Sequence, residues 1–215
     1  MVDRSQLEHL LTPERLERLK AVLENRVTNV TVVLENLHKD YNMSAVLRTC
    51  ESFGIQEVHV VPQSGEGKVF RSVTQGCHRW LSVYRYDDIK GCFLSLRQSG
   101  FRIMAGALEG NSRPLDQTDW FGKVALVFSN ELEGADEKVL DLVDGSFIIP
   151  MKGFSQSLNV SVAAGIVIHH VLGVKRRAGD LEKIPPKQAD AIMEKWVRKS
   201  VRSCDLVMEE LKKRI

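Results

Sequence analysis

Short apolar runs alternate with helix-forming segments along most of this chain. The first unit joins a β-branched run at 28–34, a helical segment at 42–53 that stops at Gly54, and a second β-branched run at 57–61. A strand, a helix and a strand within about 30 residues indicate a βαβ unit, whose two strands pair in parallel. The pattern therefore constrains the chain to a parallel sheet with helices packed on it.

The alternation continues towards the C-terminus. Further strands are predicted at 81–86, 101–108, 123–129 and 147–149, and further helices at 87–99, 135–142 and 157–172. Ser157 is a suitable N-cap for the last of these helices. We therefore expect an α/β fold class, with a parallel sheet of five or six strands and helices on both faces.

Helices are also predicted at both ends of the chain. Thr12 can cap a helix that starts at Pro13 and runs to about residue 25, because proline suits the first helical position. An apolar stripe at helical spacing predicts a second terminal helix at 186–213. The expected regions are an N-terminal extension 1–26, a central domain 27–174 and a C-terminal extension 175–215.

Charge is unevenly distributed, although the net charge of the 215-residue chain is only +2. The segment 175–215 holds 12 Lys or Arg residues against 7 Asp or Glu, whereas 28–174 holds 13 against 16. Four cations share one face of the predicted terminal helix: Lys195, Arg198, Lys199 and Arg202. This face is either solvated or binds a polyanion, and the sequence leaves both interpretations open.

Several common types of protein and site have no support in the sequence. No apolar run reaches the roughly 18 residues that a membrane span needs, and the N-terminus lacks the pattern of a secretion signal. The four cysteines are scattered without metal-ligand spacing, which predicts reduced thiols, no metal site and a cytoplasmic location. Glycine-rich phosphate loops and serine-nucleophile motifs are also absent from the sequence.

Three segments carry polar side chains after predicted strands, which is where α/β sheets bind their ligands. They contain NMSAVLRTCESFG at 42–54, SNELEG at 129–134 and IPMKGFSQSLNVSVAA at 149–164. In this order they resemble the SpoU or TrmH-type branch of the SPOUT RNA 2′-O-ribose methyltransferases. The resemblance spans about 28–172, and Ser129 departs from it because the family usually has Gly there.

The resemblance implies properties that hydrophobic patterning does not predict. They are a SPOUT domain with a deep C-terminal trefoil knot, assembly as a homodimer, and S-adenosylmethionine as the cofactor. The residues expected to bind this cofactor are Ala105, Gly106, Phe128, Ser129, Asn130, Gly134, Ile149, Met151, Ser157 and Leu158. The apolar helix at 157–172 suits either the dimer interface or the core of one chain.

The resemblance also implies a set of catalytic residues: Arg48, Asn42, Glu131, Ser157 and Asn159. We expect Arg48 to clamp a phosphate and to stabilise the developing alkoxide, because a guanidinium hardly deprotonates and is a poor base. Glu131 either holds the other side chains in place or complements a helix N-terminus. Asn159 either lines the site or satisfies local backbone groups.

RNA is expected to bind the two terminal extensions. The candidate contacts are Arg15, Arg18, Lys195, Arg198, Lys199 and Arg202. Because only about 25 residues precede the first strand, too few for a separate RNA-binding domain, the resemblance favours tRNA and methylation of a D-loop guanosine. The alternatives are 2′-O-methylation of ribosomal RNA and an RNA-binding relative without catalytic activity.

Overall fold

The structure is a computed structural model, which describes residues 4–37, 39–62, 79–107, 112–129, 137–201 and 204. The chain forms two compact units. The larger unit comprises Val27–Glu182, and the smaller one comprises Met1–Arg26 together with Lys183–Ile215.

In the described ranges, one parallel sheet of seven strands forms the centre of the larger unit, in the order β3-β2-β1-β6-β4-β7-β5. Its strands are β1 Val30–Glu35, β2 Glu57–Val61, β3 Ser82–Arg85, β4 Arg102–Gly106, β5 Arg113–Pro114, β6 Val124–Phe128 and β7 Gly145–Ile148. The predicted α/β class and parallel pairing are confirmed, but the expected number of strands was too low. The missing strand is β5, whose two residues are too few to form a sequence pattern.

Helices cover both faces of this sheet. They are α3 Asp40–Ser52, α4 Ile89–Gln98, α5 Glu137–Leu140 and α6 Val160–Arg177. Val32 and Leu34 of β1 belong to the core cluster that contains α3 and α6 residues, whereas Val33 belongs to the cluster that contains α4 residues. Both faces of β1 are therefore buried, which explains why its sequence is apolar almost throughout.

α6 begins and ends later than the helix predicted at 157–172. Its N-cap is Asn159 and not Ser157, because Asn159 Oδ1 accepts hydrogen bonds from the Ser161 backbone N–H at 2.9 Å and from Ser161 Oγ at 2.5 Å. Ser157 is exposed in the preceding loop. Serine and asparagine are equally good caps, so the local sequence did not distinguish them.

The segment after α6 completes the larger unit. Thr28 N–H donates to Glu182 O at 3.0 Å, and Glu182 N–H donates to Asn29 Oδ1 at 3.1 Å. Asn29 Nδ2 also donates to Asp180 O. These bonds attach residues 180–182 beside the start of β1, so the larger unit extends to Glu182 and not to residue 174.

The smaller unit contains three described helices, α1 Arg4–Glu8, α2 Pro13–Glu24 and α7 Pro186–Ser200. The predicted cap of α2 is confirmed, since the Thr12 side chain accepts a hydrogen bond from the Arg15 backbone N–H at 3.3 Å. α7 ends at Ser200, where Val201 adopts an extended backbone. Of the remainder of the helix predicted to 213, the structure describes only Val201 and Cys204. None of the helices in the described ranges has the length and apolar character to traverse a bilayer.

Candidate active site

Asn42 and Asn159 meet in a side-chain hydrogen bond across 117 positions of sequence, with Asn159 Nδ2 donating to Asn42 Oδ1 at 3.1 Å. Asn42 lies in the first turn of α3 and is only 3% exposed. Because α3 follows β1 and α6 follows β7, the pair lies at the C-terminal edge of the parallel sheet. This is the edge at which such sheets bind ligands.

Helix packing brings the two asparagines together. At the far end of α3, Phe53 contacts His169 of α6 with ring centroids 5.8 Å apart. The helices therefore run side by side in the same direction from the Asn42–Asn159 contact. Val46, Ala164 and Ile168 lie fully buried in the core cluster shared by these helices, so apolar packing sets the distance between the two polar groups.

The amide of Asn159 makes hydrogen bonds in two directions. Its oxygen caps α6 by accepting from Ser161, and its nitrogen donates to Asn42. The Ser161 donors fix which end of the amide is the oxygen, and this leaves the nitrogen directed at Asn42. The start of α6 thus orients a side chain of the candidate site, and Asn159 satisfies a local backbone group, which is one of the two roles expected for it.

Arg48 does not reach this pair within one chain. Its side chain is exposed, and among the described residues none forms a hydrogen bond or an ion pair with it. Asn42 lies inside the first turn of α3, on the same helix as Arg48. Six helical positions amount to about 600° of rotation, so the two side chains leave the helix roughly 120° apart.

The two remaining predicted catalytic residues are Glu131 and Ser157. Glu131 lies outside the described residues, as do Asn130 and Gly134 of the predicted cofactor-binding set. Ser157 is exposed in the loop between β7 and α6. Of the five predicted catalytic residues, the structure joins Asn42 and Asn159 alone in a described contact.

Five of the predicted cofactor-binding residues lie at or directly after the ends of neighbouring strands: Ala105, Gly106, Phe128, Ser129 and Ile149. β4 lies between β6 and β7 in the sheet, and Gly106 of β4 pairs with Phe147 of β7. Ala105 and Phe128 are buried. Gly106, Ile149, Met151 and Leu158 are half-buried. Three of the strand ends expected to surround the cofactor are therefore adjacent.

Two buried oxygen atoms at this edge have no hydrogen-bond partner among the described residues: Ser129 Oγ after β6 and Asn36 Oδ1 after β1. β1 and β6 are neighbours in the sheet. Asn36 also has a φ of 52°, in the left-handed region that asparagine tolerates better than most residues. The sequence pattern did not single out Asn36, and its signal was an asparagine directly after a strand.

These oxygens provide a test of whether the expected cofactor fits. A buried acceptor without a donor costs about 1–3 kcal/mol, so a ligand that donates hydrogen bonds would relieve this cost. S-adenosylmethionine has an amino group and ribose hydroxyls that can donate. The described residues therefore match the cofactor in chemistry, with small or apolar strand ends beside orphaned oxygen acceptors.

Three of the four cysteines lie in the described residues. Cys50 and Cys92 are buried free thiols, Cys204 is a half-buried one, and Cys77 lies outside the described residues. Within the described ranges, no three His, Cys, Asp or Glu side chains are grouped closely enough to hold a metal ion. Burial raises the pKa of the Cys92 thiol to about 12, so this side chain is uncharged at neutral pH.

The candidate RNA contacts from both ends of the chain lie in the smaller unit. Arg15 Nη2 donates to Ser200 Oγ at 3.5 Å, which places α2 beside the end of α7. Arg18 and Lys195 are exposed, and Lys199 is half-buried. Two qualifications apply to the predicted basic face: Arg198 forms an ion pair with Glu194 at 2.8 Å, and Arg202 lies outside the described residues.

The chain is similar in sequence to enzymes from three organisms. The tRNA (guanosine(18)-2′-O)-methyltransferase of Thermus thermophilus is 36% identical over 190 residues, covering 87% of this chain and 98% of the relative. The enzyme of that name from Aquifex aeolicus is 31% identical over 198 residues, covering 91% of this chain and 94% of the relative. The one from Escherichia coli is 31% identical, covering 79% of this chain and 74% of the relative.

A solved structure agrees with the fold. The crystal structure of the Aquifex aeolicus TrmH/SpoU tRNA modifying enzyme matches with a TM-score of 0.78 and 30% identity, covering 88% of this chain and 98% of that one. The sequence model of the SpoU rRNA methylase family matches residues 29–169, a range that runs from the start of β1 into α6 and includes both asparagines. The chain therefore belongs to the SpoU methylase family.

Proposed function

We propose that this chain transfers a methyl group from S-adenosylmethionine to a ribose 2′-hydroxyl of tRNA, at a guanosine of the D-loop. The curated relatives from three organisms, at 31–36% identity, are tRNA (guanosine(18)-2′-O)-methyltransferases. The observation that carries the proposal is the Asn42–Asn159 hydrogen bond. It joins the first and third segments of the family resemblance at the ligand-binding edge of the sheet. We place the reaction in the cytoplasm.

When bound, S-adenosylmethionine supplies a sulfonium methyl group that a ribose 2′-oxygen can attack. The task of the protein is to position this hydroxyl and to stabilise the negative charge that develops on its oxygen. Asn42, held by Asn159, hydrogen-bonds the ribose. Ser157 and Glu131 complete the wall of the site and keep its loops in place.

We assign Arg48 to binding an RNA phosphate and to stabilising the developing alkoxide. A guanidinium has hydrogen-bond donors and no acceptor, so we assign Arg48 the role of a donor and not of a base. Since Arg48 leaves α3 about 120° away from Asn42, we infer that a complete site needs a second copy of the chain. The Arg48 of one copy then reaches substrate held by the other copy or at the boundary between them.

The cofactor is assigned to the ends of β4, β6 and β7. Gly106, Met151 and Leu158 would contact it through backbone groups and apolar atoms, and Ser129 Oγ would receive one of its hydrogen bonds. We infer that the chain after β7 is tied in the deep trefoil knot of the family. Such a knot would explain how three loops from separate strands enclose one ligand.

We infer a homodimer in which α6 contributes to the interface. Val162 and Ile166, one helical turn apart, are 50% and 40% exposed. His169 continues the same face of α6, where it contacts Phe53. Exposed apolar groups at this spacing favour burial against another protein surface, and a second copy also explains the isolation of Arg48.

A methyl-transfer assay tests the proposal directly. The chain is incubated with labelled S-adenosylmethionine and an unmodified tRNA transcript, and the RNA is digested to nucleosides. We expect label in 2′-O-methylguanosine, a single modified position in the D-loop by primer extension, and loss of label with Arg48→Ala.

The same assay separates the alternatives. Label that appears in ribosomal RNA but not in tRNA would identify a ribosomal RNA methyltransferase. RNA binding without any methyl transfer, with cofactor present and wild-type chain, would identify a non-catalytic relative. Either result would overturn the proposed function.

The RNA-binding assignment has its own test. Neutralising Lys195 and Lys199 is expected to weaken tRNA binding and to reduce the slope of log affinity against log salt by up to about 2, one for each lost phosphate contact. Arg198→Ala should change the slope less, because Glu194 already neutralises that charge. Lys90→Ala, an exposed position on α4, is the control. An unchanged slope in the double variant would contradict the assignment.

A further inference from the structure

Phe154 is the most exposed large hydrophobic side chain in the described part of the structure, with a relative exposure of 108%. It lies in the loop between β7 and α6, whose members from Lys152 to Ser157 are all exposed. Exposing a phenyl ring fully to water forgoes about 2 kcal/mol of burial energy, so covering this ring with a partner would be favourable.

The loop places this ring near the candidate catalytic pair. Phe154 is five positions before Asn159, so the two α-carbons are at most about 18 Å apart even on an extended chain. Lys152 is exposed two positions before the ring. The loop before α6 therefore presents an aromatic ring and a lysine close in sequence to Asn159.

A second exposed ring approaches from α3. Tyr41 is 62% exposed and directly precedes Asn42, whose side chain bonds Asn159. Lys39 Nζ lies 5.9 Å from the centroid of the Tyr41 ring, at cation–π distance. Both segments that supply the asparagine pair thus also present an exposed aromatic ring with a lysine close in sequence.

This combination of groups suits single-stranded RNA. Proteins that hold unpaired nucleotides stack bases on aromatic rings and contact the neighbouring phosphates with cations. An enzyme acting on a ribose hydroxyl benefits from bases that are held in place beside it. We propose that Phe154 stacks on a base next to the methylated nucleotide, with Tyr41 as a second stacking surface, so that Phe154 is a substrate-positioning residue.

This inference rests on the proposed function, and the experiment distinguishes a failure of the stacking role from a failure of that function. The wild-type chain is first assayed for methyl transfer to tRNA, whose absence would defeat the function itself. Phe154→Ala is then expected to lower kcat/KM for tRNA by about 5- to 100-fold, while the affinity for S-adenosylmethionine stays unchanged. Phe154→Trp should restore activity, and Phe154→Leu, which is apolar but not aromatic, should not.

Two outcomes would overturn the stacking role. One is a Phe154→Leu variant as active as wild type, which would mean that a general apolar contact suffices. The other is a Phe154→Ala chain that sediments as a smaller species than wild type, which would place the ring in contact with a second copy. Tyr41→Ala and Tyr41→Phe form the matched pair for the second ring, and only the first should lose activity.

A photocrosslink gives a readout independent of activity. RNA carrying 5-iodouridine beside the methylated position is irradiated with the chain, which is then digested with trypsin. We expect the crosslink in the peptide 153–175, at Phe154, and its disappearance with Phe154→Leu. A crosslink in any other peptide, with 153–175 unmodified, would also overturn the proposal.

Discussion

Asn159 shows at the scale of one residue how a helix cap and a binding group coincide. Its oxygen accepts from Ser161, and its nitrogen donates to Asn42. Serine at this position can still cap α6 but is too short to reach Asn42, whereas alanine does neither. The two substitutions therefore separate the structural role from the proposed catalytic one.

Asn159→Ser and Asn159→Ala are expected to lose the same activity but different amounts of stability. Each should reduce methyl transfer about 10- to 100-fold, because Asn42 is no longer held in position. Asn159→Ala should cost about 1 kcal/mol more in the free energy of unfolding, through the lost cap. Urea denaturation and single-turnover kinetics measure the two quantities. If Asn159→Ser kept more activity than Asn159→Ala in proportion to its greater stability, Asn159 would act only as a cap.

His59 makes the stability of the larger unit depend on pH. It is 5% exposed, its Nδ1 lies 3.1 Å from the Tyr86 hydroxyl, and its Nε2 has no hydrogen-bond partner within the described part of the chain. Burial lowers the pKa of this imidazole from 6.5 to about 4. A proton on Nε2 would have to be buried without an acceptor, so the folded state keeps the ring neutral.

The sign of this dependence follows from proton linkage. Between pH 6.5 and about 4 the unfolded chain binds a proton at His59 that the folded chain does not bind. The stability that depends on a neutral His59 is therefore fully present above pH 6.5. It is lost as the pH falls from 6.5 to about 4, by about 3 kcal/mol in total. We expect urea unfolding to show a smaller loss of stability over this range in His59→Gln than in wild type. Equal losses would contradict the assignment.

At the scale of elements, the C-terminal end of α6 is held by a buried cation. Lys175 is 0% exposed, and its Nζ donates to Trp120 O at 3.0 Å, to Gly122 O at 2.6 Å and to Asp180 Oδ2 at 2.5 Å. Asp180 also accepts a hydrogen bond from Gly122 N–H at 3.1 Å. Lys175 thus connects α6 to the loop before β6 and to the segment that returns to β1.

Removing either partner of this pair should be costly, but not equally so. Asp180→Ala leaves the Lys175 charge buried, at a cost of about 3–5 kcal/mol, towards the lower end because a quarter of the Asp180 side chain is exposed. Lys175→Met removes the charge itself and should cost about 1–3 kcal/mol, mainly for carbonyl groups that lose a donor. Equilibrium unfolding in urea compares the two variants. A larger loss for Lys175→Met would contradict this explanation.

At the scale of the whole molecule, the inferred homodimer depends on the exposed face of α6. Ile166→Glu places a charge in the centre of that face and is expected to produce monomers in sedimentation equilibrium, with loss of methyl transfer. Leu94→Glu is the matched control, because Leu94 is 59% exposed on α4, on the opposite face of the sheet. Dimers that persist in Ile166→Glu, or monomers produced equally by Leu94→Glu, would exclude α6 as the interface.

The sequence by itself determined the parallel α/β class, all described strands except β5, and the two segments that supply the Asn42–Asn159 pair. It did so because buried parallel strands must be apolar on both faces and because strand ends carry recognisable polar residues. Tertiary structure alone decided the rest. Asn159 replaced Ser157 as the cap of α6, and Arg48 was left apart from Asn42, because both outcomes depend on how α3 and α6 pack over 117 positions of sequence. Local sequence cannot report such distances, since they are set by the shape of the shared core.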